Sequence, residues 1–397
     1  MTRGERSNEM TNMIEIAEAL RTDFDSRAAE HDRDGSFPHE NYDQLREAGY
    51  LRGPVPEELG GGGADLVETA RAQRALGYGD ASTALAVNMH LFQVGAAADG
   101  WRGSGANEPP LRKIAAEGMV MGSTGAEAIV AGEWSTPTTA TLDGDEYVIS
   151  GRKYFASQAP ATDMLRVNAA DSETGEILVV GVPMSAPGVE IVETWDTLGM
   201  RATGSHDIVL ENVRVPATAV AARLPASAPA WDPKFANAIK WFLPLMTGVY
   251  VGIADRARDE ALAAVGTGRN SSFRDEALTE MLVGQLEGAH FRADAAHEQG
   301  VARILRADNP VDAMVAGITL KDAAIDAAVE TVELANQIVG GKSFFRKSIL
   351  ERLTRDIRAS AYHPPSAPVS SQMVGRRTLS LREASAAVEA AEAVTAN

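Results

Sequence analysis

Residues Val120 to Pro216 follow a different rhythm from the chain on either side, and that contrast sets the architecture. Short β-branched stretches, Tyr147-Val148-Ile149, Ile177-Leu178-Val179-Val180 and Ile208-Val209-Leu210, alternate there with turn clusters, which is the pattern of half-buried strands. Val189 to Val192 and Val213 to Val215 add two more. Asp143-Gly144 marks a hairpin, because glycine reaches the left-handed backbone that a tight turn needs. Together these stretches predict a compact antiparallel β-domain. Flanking it, apolar residues recur at helical spacing. Leu66 to Tyr78 and Ala81 to Ala97 read as helices, the second broken by Gly100 and Gly103. Gly60 to Gly63 reads as a flexible turn, since no lysine-serine or lysine-threonine follows it as in a phosphate loop. Beyond a loop at Leu224 to Pro233, Ile318, Ile325, Val329, Val332 and Val339 mark a helix stopped by Gly340-Gly341. The order is helices, sheet, helices.

Composition narrows the class. At 397 residues the chain holds more than one packed unit. A net charge of −18 repels phosphate backbones and anionic lipid, so neither nucleic acid nor a membrane surface is an expected partner. The absence of cysteine excludes disulfides, thiolate nucleophiles and cysteine-held metals. No histidine pair brackets a glutamate at helical spacing, so no metal is expected. No glycine fingerprint follows a strand, so direct nicotinamide binding is not expected either. The charged first residues and the lack of an apolar run of ~20 residues predict a cytoplasmic protein.

Four phrases in order then carry a family resemblance. Gly144 to Lys153 (GDEYVISGRK), Leu198-Gly199-Met200-Arg201-Ala202-Thr203, Glu211 to Pro216 (ENVRVP) and Gln337-Ile338-Val339-Gly340-Gly341 resemble the acyl-CoA dehydrogenases over roughly residues 10 to 380. The implied fold class is α+β. It comprises an N-terminal helical domain over 8–118, a middle β-domain over 119–220, a C-terminal four-helix bundle over 234–385, and a tail over 386–397. The resemblance also implies a flavin held by Thr124, Phe155, Ser157, Arg201, Gln337, Gly340 and Gly341. A hydroxyl at Ser157 suits flavin N5 or O4.

One departure changes the chemistry. The dehydrogenases remove a substrate α-proton with a glutamate that follows a segment resembling Leu353-Thr354-Arg355-Asp356. Here Ala361-Tyr362-His363-Pro364-Pro365-Ser366 stands instead, with no acidic residue between Ile357 and Met373. The family's alternative seat for the base falls near Phe242, among Trp241, Leu243, Pro244 and Leu245, where there is also no carboxylate. Without a general base, thioester dehydrogenation is not expected.

Arg355-Asp356-Ile357-Arg358-Ala359 followed by His363-Pro364, together with His90 and Ser157, resembles a monooxygenase branch of the same fold. That branch includes two-component phenol hydroxylases and dibenzothiophene monooxygenase. It implies reduced flavin delivered by a separate NAD(P)H-dependent reductase, and a C4a-hydroperoxyflavin that oxygenates a small substrate. His363, Ser157 and His90 become the catalytic candidates. His363, in a proline-flanked loop, is expected to make few core contacts. Phe92, Trp241, Phe242, Met246 and Tyr362 become the lining of an aromatic or heteroaromatic pocket.

Other expectations concern the cofactor and assembly. Arg269-Asn270-Ser271-Ser272-Phe273, with Arg274 after it, departs from the family's adenine-binding motif, which favours FMN over FAD. Gly125-Ala126-Glu127 departs from the family's flavin loop. A homotetramer is the fold's usual state. Two alternatives stay open: a dehydrogenase or oxidase with an unrecognised base, and a redox-silent binding subunit. The remaining histidines, His31, His39, His206, His290 and His297, read as surface or structural.

Overall fold

A computed structural model describes residues 12–124, 129–130, 133–225, 233–266 and 277–395. Its first third is helical: α1 (Met13–Asp34), α2 (His39–Glu47), α3 (Leu66–Gly79), α4 (Ala81–Ser104) and α5 (Glu108–Glu117). Side-chain caps set several starts. Asn12, Asp65 and Asp80 accept from the backbone N–H groups of Glu15, Glu68 and Ser82, satisfying donors that a helix end leaves unpaired. Helix α4 runs straight through Gly100 and Gly103, so the break expected there is absent. Burial of Ala84, Val87, Leu91, Val94 and Ala98 outweighs about 1 kcal/mol of propensity per glycine. Gly60 to Gly63 forms a turn, as expected, with Gly60 and Gly63 at positive φ.

The middle domain contains β1 (Met121–Ser123), β2 (Ile129–Val130), β3 (Glu133–Trp134), β4 (Thr139–Asp143), β5 (Glu146–Ala156), β6 (Met164–Asp171), β7 (Ile177–Pro183), β8 (Val189–Val192), β9 (His206–Pro216) and β10 (Val220–Leu224). The main sheet runs β10-β7-β6-β4-β5-β9-β8, with β1 beside β6. The sheet is mixed rather than purely antiparallel, because β1 and β4 each pair parallel to β6. The hairpin turn is Gly144-Asp145, one residue later than expected, with Asp143 opposite Glu146. Two expected strands, Ile208–Leu210 and Val213–Val215, are one strand. A register shift opposite Ile149 and Gly151, with Asn212 at φ 51, lets β9 pass without a break.

The last third is α6 (Pro233–Gly266), α7 (Ala277–Leu305), α8 (Pro310–Val339), α9 (Ile349–Asp356) and α10 (Ala367–Thr395). Helices α6, α7 and α8 pack on one another, and α10 lies against α8. Gly340 at φ 68 ends α8, and its N–H bonds Asn336 O. A single apolar core joins α1, α3, α4, α6, α7 and α8, through residues such as Phe24, Leu76, Leu91, Leu243, Val249 and Ile318. The β-domain has its own core. Among the described residues no helix is long and apolar enough to cross a membrane.

Candidate active site

Two irregular segments meet where the β-domain faces the helices. One is the end of β5, Phe155 to Gln158; the other is the turn from Met200 to Ser205. Phe155, Gln158 and Met200 all hold positive φ (54°, 60° and 53°), although none is glycine. Each such residue costs on the order of 1–3 kcal/mol, and such costs concentrate at functional sites. Backbone bonds zip the segments together: Gln158 N donates to Thr203 O at 2.8 Å and Ala159 N to Gly204 O at 3.3 Å.

Ser157 sits at the end of a hydroxyl chain. Its Oγ lies 2.8 Å from Ser205 Oγ, which lies 2.7 Å from Thr203 Oγ1. Thr203 donates to Met200 O at 3.0 Å. A carbonyl can only accept, and each hydroxyl has one proton. With all three bonds made, Ser205 donates to Thr203 and Ser157 donates to Ser205. Ser157 is left with acceptor capacity for a third group. On the other side of Met200, its N–H donates to Asp356 Oδ1 at 2.6 Å. Burial raises the Asp356 carboxyl to about 7, against the opposing pull of that N–H and of Arg352.

Asp356 closes α9, and the following turn, Ile357–Tyr362, delivers His363. His363 Nε2 lies 2.5 Å from the Tyr250 hydroxyl on α6. Burial pushes His363 down to about 4, and the nearby Lys321 ammonium adds to the shift. The imidazole is therefore neutral near pH 7. Burial, reinforced by Asp356, keeps the Tyr250 phenol well above its ordinary range and so protonated. No described residue bonds His363 Nδ1. His363 is thus half-buried against Tyr250, a correction to the expectation of few core contacts.

His90 is placed differently. It is fully buried in α4, with Nε2 2.7 Å from Leu51 O and Nδ1 accepting the Met121 N–H at 3.0 Å. Both nitrogens are used, and burial depresses the ring to about 4. It pins α4 to β1, leaving no ring atom for acid–base work. The same strand is held from the other side, where Gln158 Nε2 donates to Met121 O at 2.7 Å and Tyr42 OH donates to Gln158 Oε1 at 2.9 Å.

The remaining expected residues divide. Thr124 is buried, and its Oγ1 has no hydrogen-bond partner among the described residues. Phe155 is exposed and edge-on to Trp195, with ring centroids 6.0 Å apart. Arg201 faces elsewhere: it donates to Asp32 O and Thr197 O and pairs with Asp196, bracing α1 rather than lining this site. Gln337, Gly340 and Gly341 line a separate cleft of ≈ 530 Å³ with Leu278, Leu282 and Phe345. The expected substrate pocket is not assembled as one lining. Trp241 packs into the core over Gly95 and donates to Asp99 at 2.8 Å. Met246 is also core. Phe92 and Phe242 form a half-buried edge-to-face pair at 5.5 Å, and Tyr362 is exposed. The Gly125–Glu127 and Arg269–Arg274 departures lie outside the described residues.

The residues present fit a flavin. The Thr124 hydroxyl is buried without a partner among the described residues, Ser157 has unused acceptor capacity, and Phe155 with Trp195 offers an aromatic ledge. Tyr250, Gln158, Thr203, Ser205 and Asp356 were not singled out from sequence. Thr203 and Ser205 stand in or beside the Leu198–Thr203 phrase, but nothing linear shows that their hydroxyls reach Ser157.

The chain matches the acyl-CoA dehydrogenase N-terminal domain over residues 12–99, the middle domain over 126–213 and the C-terminal domain over 245–366. A putative acyl-CoA dehydrogenase of Bacillus subtilis, YdbM, is 30% identical over 382 residues, covering 91% of this chain and 94% of that one. Dibenzothiophene monooxygenase of Mycolicibacterium goodii is 26% identical, covering 89% and 90%. The crystal structure of KijD3 with FMN and dTDP-3-amino-2,3,6-trideoxy-4-keto-3-methyl-D-glucose superimposes with a TM-score of 0.83 at 30% identity, covering 93% of each chain.

Proposed function

Because the chain belongs to the acyl-CoA dehydrogenase family yet holds a neutral histidine where that family's base would stand, we propose that it is the oxygenase component of a two-component FMN-dependent monooxygenase. His363 seated on Tyr250, with no carboxylate from Ile357 to Met373, is the observation that carries this reading. Likeness to a dibenzothiophene monooxygenase and to an FMN-bound structure supports it. The bound flavin, delivered reduced by a separate NAD(P)H-dependent reductase, supplies the electrons and the reaction with dioxygen. The substrate is a small molecule, aromatic or heteroaromatic, and the working form is a cytoplasmic homotetramer.

The protein's part is to hold and place protons. Ser157, its own proton turned inward, accepts from an N–H and so suits flavin N5 when that atom carries hydrogen. Thr124 supplies a second buried hydroxyl. Tyr250 caps His363 Nε2, leaving an Nδ1–H that would donate a hydrogen bond toward the reacting oxygen. His90 acts as a positioning residue, fixing the strand that leads into Thr124.

A second reading has one observation in its favour. Asp356 is a buried carboxyl raised to about 7, a value suited to an unrecognised base. Its Oδ1 is held by Met200 N–H, and Gly199 packs against Arg355 O and Asp356 N, which encloses it. Incubating the FMN-loaded protein with short, medium and branched acyl-CoAs and an electron-accepting dye separates the two readings. The proposal expects no bleaching, and steady bleaching would establish dehydrogenation instead.

A further inference from the structure

Arg166 lies mid-strand in β6, where Leu165, Val167 and Ala169 turn into the β-domain core and Met164, Arg166 and Asn168 take the outer face. Register places Ser123 of β1 on one side of it and Gly181 of β7 on the other. Paired residues share a face, so Arg166 stands in a row between a residue with a small hydroxyl and one with no side chain. A Cβ at Gly181 would meet only Met164 Sδ at 3.5 Å and Ala219 O at 3.9 Å, so there is room beside it.

Every other arginine of this domain has a carboxylate. Arg152 pairs with Asp207, Arg201 with Asp196, Arg214 with Asp143 and Glu146, and Arg223 with Asp171 and Glu176. Arg166 has no hydrogen bond or ion pair among the described residues. Asp163, three residues away, is taken by the Val120 N–H at 2.8 Å. Arg166 is half-buried, and burial alone lowers its pKa below the usual arginine value. An unpaired, desolvated guanidinium destabilises a fold, and its planar fork matches an oxyanion. Ser123, its neighbour, immediately precedes Thr124, whose buried hydroxyl is also unpartnered among the described residues.

We propose that Arg166 is the binding residue for a phosphate-class oxyanion carried by a small molecule that enters beside β1, β6 and β7. This rests on the small-molecule site proposed above but not on its oxygen chemistry. Two sources supply that group: the phosphate of FMN, or an acidic group on the substrate. The net charge of −18 works against non-specific anion uptake, so a phosphate response reports a site.

The test compares wild type with Arg166→Met and Arg166→Lys. Melting is followed in inorganic phosphate and in chloride at equal ionic strength, and flavin binding is titrated with FMN and with riboflavin. Wild type should melt higher in phosphate by about 2 °C or more. Arg166→Met should lose that difference while melting at or above wild type in chloride, and Arg166→Lys should keep part of it. If FMN is the source, Arg166→Met also collapses the preference for FMN over riboflavin. If the substrate is the source, that preference survives. The proposal is overturned if Arg166→Met melts lower in chloride, which would make the residue structural. It is equally overturned if that variant changes neither the phosphate response nor the flavin preference. Failure here leaves the reaction with oxygen open to its own test.

Discussion

Ser157 Oγ lies 2.8 Å from Ser205 Oγ, and the bond between them runs one way, because Thr203 beyond them ends the chain on a carbonyl. Ser157 is thereby an acceptor toward the open site. Reduced flavin carries a hydrogen on N5 and oxidised flavin does not, so the chain should favour the reduced form.

Thr203→Val or Ser205→Ala should weaken that preference without removing Ser157. A net hydrogen bond is worth about 1 kcal/mol, or roughly fivefold in affinity. Anaerobic titrations with oxidised and reduced FMN give the ratio directly. A ratio unchanged in both variants means that Ser157 is not oriented by its neighbours.

His363→Ala should lower product formation by roughly 10²-fold if its Nδ1–H hydrogen-bonds the reacting oxygen, with hydrogen peroxide rising in its place. It also leaves the Tyr250 hydroxyl without its partner, at a stability cost of about 1–3 kcal/mol. Combining it with Tyr250→Phe should recover part of that stability and none of the activity. The product-to-peroxide ratio at fixed reduced-flavin supply, read beside urea midpoints, checks both parts. An unchanged ratio removes His363 from the chemistry.

Stability should depend on pH through groups of opposite sign, His90 with His363 on the acid side and Asp356 against them. His90 is held at about 4, while an unfolded histidine titrates near ~6.5. Its contribution is therefore present above about 6.5 and lost as pH falls toward 4, each tenfold difference in proton affinity between folded and unfolded chain being worth about 1.4 kcal/mol. Asp356 is held at about 7, so its contribution is present below about 4 and lost as pH rises toward 7. His90→Gln should flatten the acid limb of a urea-midpoint profile, and Asp356→Asn the neutral limb. Profiles parallel to wild type would remove both assignments.

Much of the fold was legible because periodicity is local. The strand rhythm around Ile149 and Val180, and the helical rhythm from Ile318 to Val339, register burial within a few residues. Gly100 misled because core contacts, which sequence spacing does not record, override propensity in α4. The loss of the glutamate was legible as a missing residue type near His363. The partners of His363 and Ser157 were not, since Tyr250 lies 113 positions from His363 and Ser205 lies 48 from Ser157. His90 shows the converse. The family resemblance made it a catalytic candidate, but bonds to Leu51 O and the Met121 N–H, 39 and 31 positions away, make it a brace. Trp241 likewise looked like a pocket wall until Gly95 opened a core slot for its ring.

The proposed function has reduced flavin at this site react with dioxygen rather than dehydrogenate a thioester. The most direct measurement is rapid mixing of the anaerobic protein, loaded with reduced FMN, against oxygenated buffer, followed by absorbance. An intermediate distinct from both reduced and oxidised flavin is expected, with a lifetime shortened several-fold in Ser157→Ala. Single-phase conversion of reduced to oxidised FMN in wild type, with no intermediate, would contradict it.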